Sequence, residues 1–226
     1  SYADFISGNT DNSFKISESF LAYSAAYNNT NPYGVATPNR KGIYFNAYRN
    51  DSTKIRSSFL NVAYLTQSRG TGTLKMKKFF LIDAGTDIYV NEFIDWNKQI
   101  KLDFGVRLEN TSRKGEVYEA VNLVSTFFDL GLSFEVVSKL DLMLGSKIWM
   151  VSGNEYINER NQYNTIENFE NVSYNFTENT MAGGIGYRFN EYNKLLMQYQ
   201  LFSIQHKDAK PDYSISQFSF LYTLRF

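Results

Sequence analysis

Along most of the chain, apolar residues recur at every second position, the period of a strand whose two faces meet different surroundings. Ile100, Leu102, Phe104, Val106 and Leu108 share one parity, and Lys101, Asp103, Gly105, Arg107 and Glu109 the other. In the next run Val124, Thr126, Phe128, Leu130, Leu132, Phe134 and Val136 oppose Ser125, Phe127, Asp129, Gly131, Ser133 and Glu135. Ser138 and Lys139 turn the chain into Leu140, Leu142, Leu144, Ile148 and Met150, set against Asp141, Gly145 and Lys147, with Met143 and Trp149 as exceptions. Alternating runs joined by two or three residues are hairpins. The device recurs over 82–90, 181–189, 195–201 and 218–226, and the vaguer first third allows strands over 17–28, 42–50 and 54–67. The count comes to about ten strands, nearly twice an ordinary sheet. Eight strands with an N-terminal extension, or twelve with two more short ones, stay open.

Link lengths carry a second regularity. Those near 51–53, 94–98, 138–139 and 190–193 are short, while those near 29–41, 68–77, 112–122, 153–177 and 207–212 are long and polar. In an up-and-down meander that alternation collects the short turns at one end and the long loops at the other, as a transmembrane barrel requires. Phe93, Trp96, Phe134, Phe189 and Tyr192 gather at the short-turn end. A membrane interface would hold amphipathic rings there, at headgroup depth.

Composition narrows the class. With 226 residues, 43% of them apolar, and only three Pro, the chain can build a core and is not a disordered polymer. Lys+Arg 23 against Asp+Glu 23 leaves no cation surplus for displacing counterions from phosphates, which excludes a general nucleic-acid binder. The absence of Cys and the single His206 exclude disulfides, thiolate chemistry and a histidine-rich metal site, and no cofactor is expected. Apolar clusters such as Phe79 to Ile82 fall far short of the apolar run that a membrane helix needs. Ser1 begins without a Met, a basic stretch or an apolar leader, so an export signal would have been removed already, or the sequence is a piece of something longer. Residues 1–16, with Asn9, Asp11 and Asn12, read as a polar tail or the stub of an upstream region, and 17–226 as the barrel.

A soluble sheet also has one apolar and one polar face, so the content of the polar face decides. Here it carries Gly85, Gly105, Gly131, Gly145, Gly184 and Gly186, and mid-strand glycine is costly unless crowding demands it. Its charges are mixed. Asp83, Asp87, Asp103, Glu109, Asp129, Glu135 and Asp141 stand with Lys101, Arg107, Lys147, Arg188 and Arg225, as a filled, ion-paired lumen would need. The expected fold is all-β, an antiparallel up-and-down transmembrane β-barrel.

The ending Phe218-Ser219-Phe220-Leu221-Tyr222-Thr223-Leu224-Arg225-Phe226 resembles the C-terminal strand of bacterial outer-membrane β-barrel proteins, with Phe218, Phe220, Tyr222, Leu224 and Phe226 on one face. The likeness is specific in that strand and extends over 17–226 by pattern alone. It implies location in the bacterial outer membrane, contact with outer-membrane lipid and lipopolysaccharide, and insertion by the barrel-assembly machinery. The Asn-, Tyr- and Lys-rich loops are similar in composition to Bacteroidota surface proteins.

Candidate chemistry is thin. His206 with Asp208 would suit a general base and its orienting carboxylate in a surface hydrolase, but the paired acidic walls of omptin-like barrels have no counterpart here, and a lone loop His is usually just solvated. Glu155, Glu159, Glu167 and Glu170 offer calcium oxygens at a spacing that matches no binding loop. Gly70-Thr71-Gly72-Thr73 and Gly183-Gly184-Ile185-Gly186 lack the helix and Lys of a phosphate loop. No catalytic or metal residues are assigned. About ten strands should leave at most a narrow passage, against the aqueous channel of 16–18-stranded porins. The leading expectation is a non-enzymatic outer-membrane barrel acting as a structural, anchoring or accessory subunit, including one within a larger complex with other outer-membrane proteins. A narrow substrate-selective channel and an outer-membrane hydrolase are the alternatives.

Overall fold

The structure is a computed structural model that describes residues 40–50, 55–69, 75–94, 96–115, 119–160, 162–163, 165–190, 193–208 and 210–224. Nine strands form one antiparallel sheet in chain order: β1 (Arg40–Asn50), β2 (Ile55–Gln67), β3 (Lys78–Tyr89), β4 (Ile100–Arg113), β5 (Val121–Val137), β6 (Leu140–Arg160), β7 (Ile166–Arg188), β8 (Asn193–His206) and β9 (Tyr213–Leu224). A single helical turn, α1 (Asn91–Ile94), joins β3 to β4. The all-β, antiparallel, up-and-down reading of the alternation therefore holds. The described sheet is not closed into a barrel: β1 and β9 are its two edges and do not pair with each other among the described residues. The strand expected over 17–28 and the tail over 1–16 lie outside the described residues.

The short turns are built from local chemistry. Ser138 and Lys139 make a two-residue link, and Lys139 takes φ 74°, as tight hairpins require of their central residues. Asn91 caps the β3–β4 connection, its Oδ1 accepting from the Ile100 amide at 3.1 Å and its carbonyl from the Trp96 amide at 3.2 Å. Asn190 Oδ1 accepts from the Asn193 amide at 2.8 Å and shapes the β7–β8 turn. These links fix register, and a slip of one residue would send every side chain to the other face.

One expectation fails. The segment 153–177, read as a long loop, is mostly strand: β6 and β7 run for 21 and 23 residues and pair from Leu140↔Tyr187 up to Arg160↔Ile166. The reason is that its upper part touches water on both faces, so polar Asn and Glu hide the alternation. β5 accompanies β6 only as far as Glu155, and β8 accompanies β7 only from Phe176, so the rest projects as a two-stranded ribbon. Gly153 lies near its base with φ 125°, where an added Cβ would sit 1.8 Å from the Asn122 carbonyl oxygen.

Burial divides the sheet into two layers. In the half near the short turns the expected polar parity is the buried one: Asp83 is 1% exposed and Lys147 3%, while Leu130 on the opposite parity is 48% exposed. In the half near the long loops the faces exchange character. Val121, Leu123, Phe127, Trp149, Val151, Tyr174, Phe176, Phe202 and Ile204 form a buried apolar cluster there. At the same level Asn122, Ser152, Asn175, Thr177 and Ser203 occupy the outward parity. Met143 and Trp149 are thus not breaks in the alternation; both are buried on the inner face.

Candidate functional site

The inner face of the short-turn half is the chemically distinctive surface, and register determines its contacts. Lys101 on β4 bridges Asp103 at 2.7 Å and reaches Asp87 on β3 at 3.9 Å. Gly131 on β5 lies opposite Asp103, and a Cβ there would come 3.1 Å from the Asp103 carboxylate, so the glycine makes the room this pair occupies. Arg107 pairs with Glu109, and both side chains are almost wholly shielded from solvent. Asp83 lies opposite Arg107 in the β3–β4 register and accepts from Asn61 Nδ2 at 3.3 Å. Asp129 faces Lys147 across β5 and β6. Nearest the short turns, Arg188 lies 3.4 Å from Asp141 and 3.5 Å from Glu135. Arg225 lies outside the described residues. Pairing of this kind is what keeps buried charges tolerable, because an ion removed from water without a partner costs several kcal/mol.

A sorting rule emerges from these placements. Below the free ribbon, the carboxylates of the nine strands are Asp83, Asp87, Asp103, Glu109, Asp129, Glu135, Asp141, Glu155 and Glu178, and each falls on the inner parity with none in the exposed class. The outer parity of the described side chains carries no carboxylate there. Its charges are cations, Lys41, Arg49 and Lys78. Glu178, absent from the expected set, is 3% exposed and its Oε2 has no hydrogen-bond partner among the described residues. It was missed because the strand was read only from Met181, although Tyr174, Phe176, Glu178, Thr180 and Ala182 share one parity and are all buried.

Toward the long loops the inner face is covered by a packed apolar cluster. The Trp149 indole donates to Ser125 Oγ at 2.6 Å and meets the Phe176 ring edge-on at 5.7 Å. Above them Lys77, just before β3, bridges Glu155 of β6 at 2.8 Å, joining strands three apart in the sheet. A small cavity is bordered by Glu109, Thr111, Ser125 and Tyr174. It is no larger than the room one water needs.

Phe93 and Trp96 in the β3–β4 connection, and Phe189 just past β7, are half exposed near the short turns. Tyr187, Phe189 and Tyr222 form an edge-to-face series with centroids 4.9 and 6.5 Å apart. Phe134 is partly buried, with Lys98 Nζ 6.0 Å above its ring. Phe218, Phe220 and Tyr222 project from β9 and Leu224 ends that strand, whereas Tyr192 and Phe226 lie outside the described residues.

The other candidates are not assembled. The His206 amide donates to Asp212 Oδ1 at 2.6 Å, and its ring lies against Phe176 at 5.9 Å; Asp208 is not its partner in either contact. No three of His, Asp or Glu come together as metal ligands among the described residues. Residues 70–73 lie outside the described residues, and Gly183, Gly184 and Gly186 are interior positions of β7. No helix among the described residues is long and apolar enough to cross a membrane, which says nothing of strands. No protein-family profile, curated protein or solved structure matches the chain.

Proposed function

We propose that this chain is a bacterial outer-membrane β-barrel whose nine described strands and one more cross the bilayer, and that it serves as a non-enzymatic structural, anchoring or accessory subunit. The observation that carries the reading is the sorting of charge: below the ribbon, the described carboxylates of the strands lie on the inner parity, beneath an outer face of exposed Leu, Phe, Met and Tyr. In water that arrangement wastes both kinds of side chain; in lipid it satisfies both. The apolar stretch of the outer parity runs nine residues on β4 (Ile100 to Leu108), thirteen on β5 (Val124 to Val136, Thr126 included) and nine from Met181 on β7 to Phe189 just past its end. A tilted strand needs about 9–11 residues to cross hydrocarbon. The exchange of faces above that level fits strands that rise from lipid into water.

Closure follows from counting. In an antiparallel meander the first and ninth strands point the same way, so joining them directly would make a parallel pair. One additional strand restores antiparallel neighbours throughout, and bacterial single-chain barrels have even strand numbers. Residues 17–28 are the segment expected to supply it. Both faces of β1 are exposed, as an edge awaiting a neighbour would be.

The buried apolar cluster and the Lys77–Glu155 bridge argue for a sealed interior over a narrow channel. Purified full-length protein in detergent should migrate differently on SDS gels before and after boiling, because closed barrels resist SDS until heated, and should give no discrete openings in planar bilayers. Identical migration would refute the barrel. Discrete openings would replace the scaffold role with the channel.

A further inference from the structure

We propose that the free edge of β7 in the projecting ribbon receives an extended, cationic segment of a partner protein as a third strand. This deepens the accessory-subunit reading above and rests on it, since it requires the ribbon to stand in water beyond the bilayer. The last link between β7 and the chain on that side is the Lys207 amide, which donates to the Asn175 carbonyl at 2.8 Å. In an antiparallel strand, alternate residues turn their amide and carbonyl to the same side. Ser173, Asn171, Phe169 and Glu167 therefore present theirs where β8 has ended, and no backbone hydrogen bond meets them there among the described residues.

Exposed edges are ordinarily defended by Lys, Pro, a bulge or a covering segment. This one is not. Residues 166–175 contain no Lys, Arg or Pro, and the β6–β7 register runs unbroken from Asn168 to Tyr187, so no bulge twists the edge away. The two ends of the sheet, β1 and β9, are used up by closure in the barrel reading. The unpaired edge of β6 is shorter, running from Tyr156 to Arg160, and it ends on a cation. Only the β7 edge is left long, regular and undefended among the described strands.

Charge selects the occupant. Glu167 and Glu170 are both exposed and are the only charged residues of 166–175. A second copy of this chain would set one acidic edge against another, and like charges on adjoining strands are destabilising. Because they stand three residues apart, the two glutamates leave the strand on opposite faces of the ribbon. An added antiparallel strand answers both with two Lys or Arg that are likewise three residues apart, one on each face. Its backbone supplies affinity and those two positions supply selection, as in other cases of strand addition.

The test uses the full chain in non-ionic detergent and a short labelled peptide of Thr and Val carrying two lysines three positions apart, with binding read by fluorescence anisotropy. Wild type should bind it. It should bind neither the same peptide with glutamates in place of the lysines nor one N-methylated on the amides that would face β7. Glu167→Gln with Glu170→Gln should weaken binding about tenfold. Asn171→Pro removes one outward amide and leaves the β6 pairing in place, and should weaken binding about fivefold. Equal binding of the methylated peptide would overturn strand addition, and equal binding of the glutamate peptide would overturn the cationic partner. Unchanged binding by either variant, still heat-modifiable on gels, would overturn the placement on this edge. No binding of the lysine peptide to a heat-modifiable wild type would overturn the site and spare the barrel, whereas a wild type that is not heat-modifiable would remove the membrane reading beneath it.

Discussion

Leu130 offers the sharpest separation between a sheet that faces lipid and one that faces water. It is the fourth of seven outer-parity positions on β5 from Val124 to Val136, with Phe104 and Ser146 beside it in register, and is 48% exposed. If the outer face met water, Leu130→Arg would be an ordinary surface change, within about 0.5 kcal/mol of neutral. At the centre of a bilayer an outward Arg costs about 2–4 kcal/mol, falling to about 0–1 near the interface. At about 1.4 kcal/mol per tenfold, the central substitution should lower the folding equilibrium by about 30- to 700-fold. Val136→Arg, three outward positions nearer the short turn, should change it by no more than about fivefold. The measurement is urea-titrated folding into lipid vesicles, read as the fraction of unboiled protein migrating in the compact form. Equal midpoints for Leu130→Arg, Val136→Arg and wild type would refute the assignment of this face to hydrocarbon, and a stabilised, detergent-independent Leu130→Arg protein would do so more plainly still.

Other consequences are open to the same preparations. Arg107→Met strands the buried Glu109 and should cost about 3–5 kcal/mol in urea titration, with much of the loss recovered when Glu109→Leu is added; equal losses in single and double variants would show that the pair is not coupled. Gly153→Val forces a branched side chain into φ 125° and against the Asn122 carbonyl. Stability should fall by about 1–3 kcal/mol, and an unchanged urea midpoint would show that the backbone there relaxes freely. The two Trp residues differ in exposure, Trp96 being 52% exposed and Trp149 7%. Brominated lipids should quench wild-type fluorescence and have little effect on Trp96→Phe, and strong residual quenching would place Trp149 on the wrong side.

Much of this was legible in the order of residues. Parity alone assigned Asp83, Asp103 and Asp129 to one face and Phe104, Leu130 and Leu142 to the other, because a strand has only two directions in which to send a side chain. Short links such as Ser138-Lys139 were legible for the same reason, since few sequences can reverse a chain in two residues. What the pattern withheld depends on three dimensions. Which carboxylate meets which cation follows from register, so the Arg188–Glu135 pair, far apart along the chain, could not be read from spacing. The exchange of faces within single strands turned Trp149 into an exception, although it continues one face into a different environment. The ribbon was lost because water on both sides removes the contrast that alternation needs, and Glu178, below it, was missed because the strand was read only from Met181.

That ribbon gives the molecule a practical use. The end of β6, from Tyr156 to Arg160, rises past the last β5 partner and pairs with the start of β7 at Ile166. At the usual rise of a strand this stalk is about 17 Å tall. Loop tips whose flanking strands are already paired accept insertions well. On the proposed membrane-barrel reading, a foreign epitope grafted between Gln162 and Tyr163 would be carried on this stalk, within reach of antibodies and clear of the charge-sorted wall beneath it.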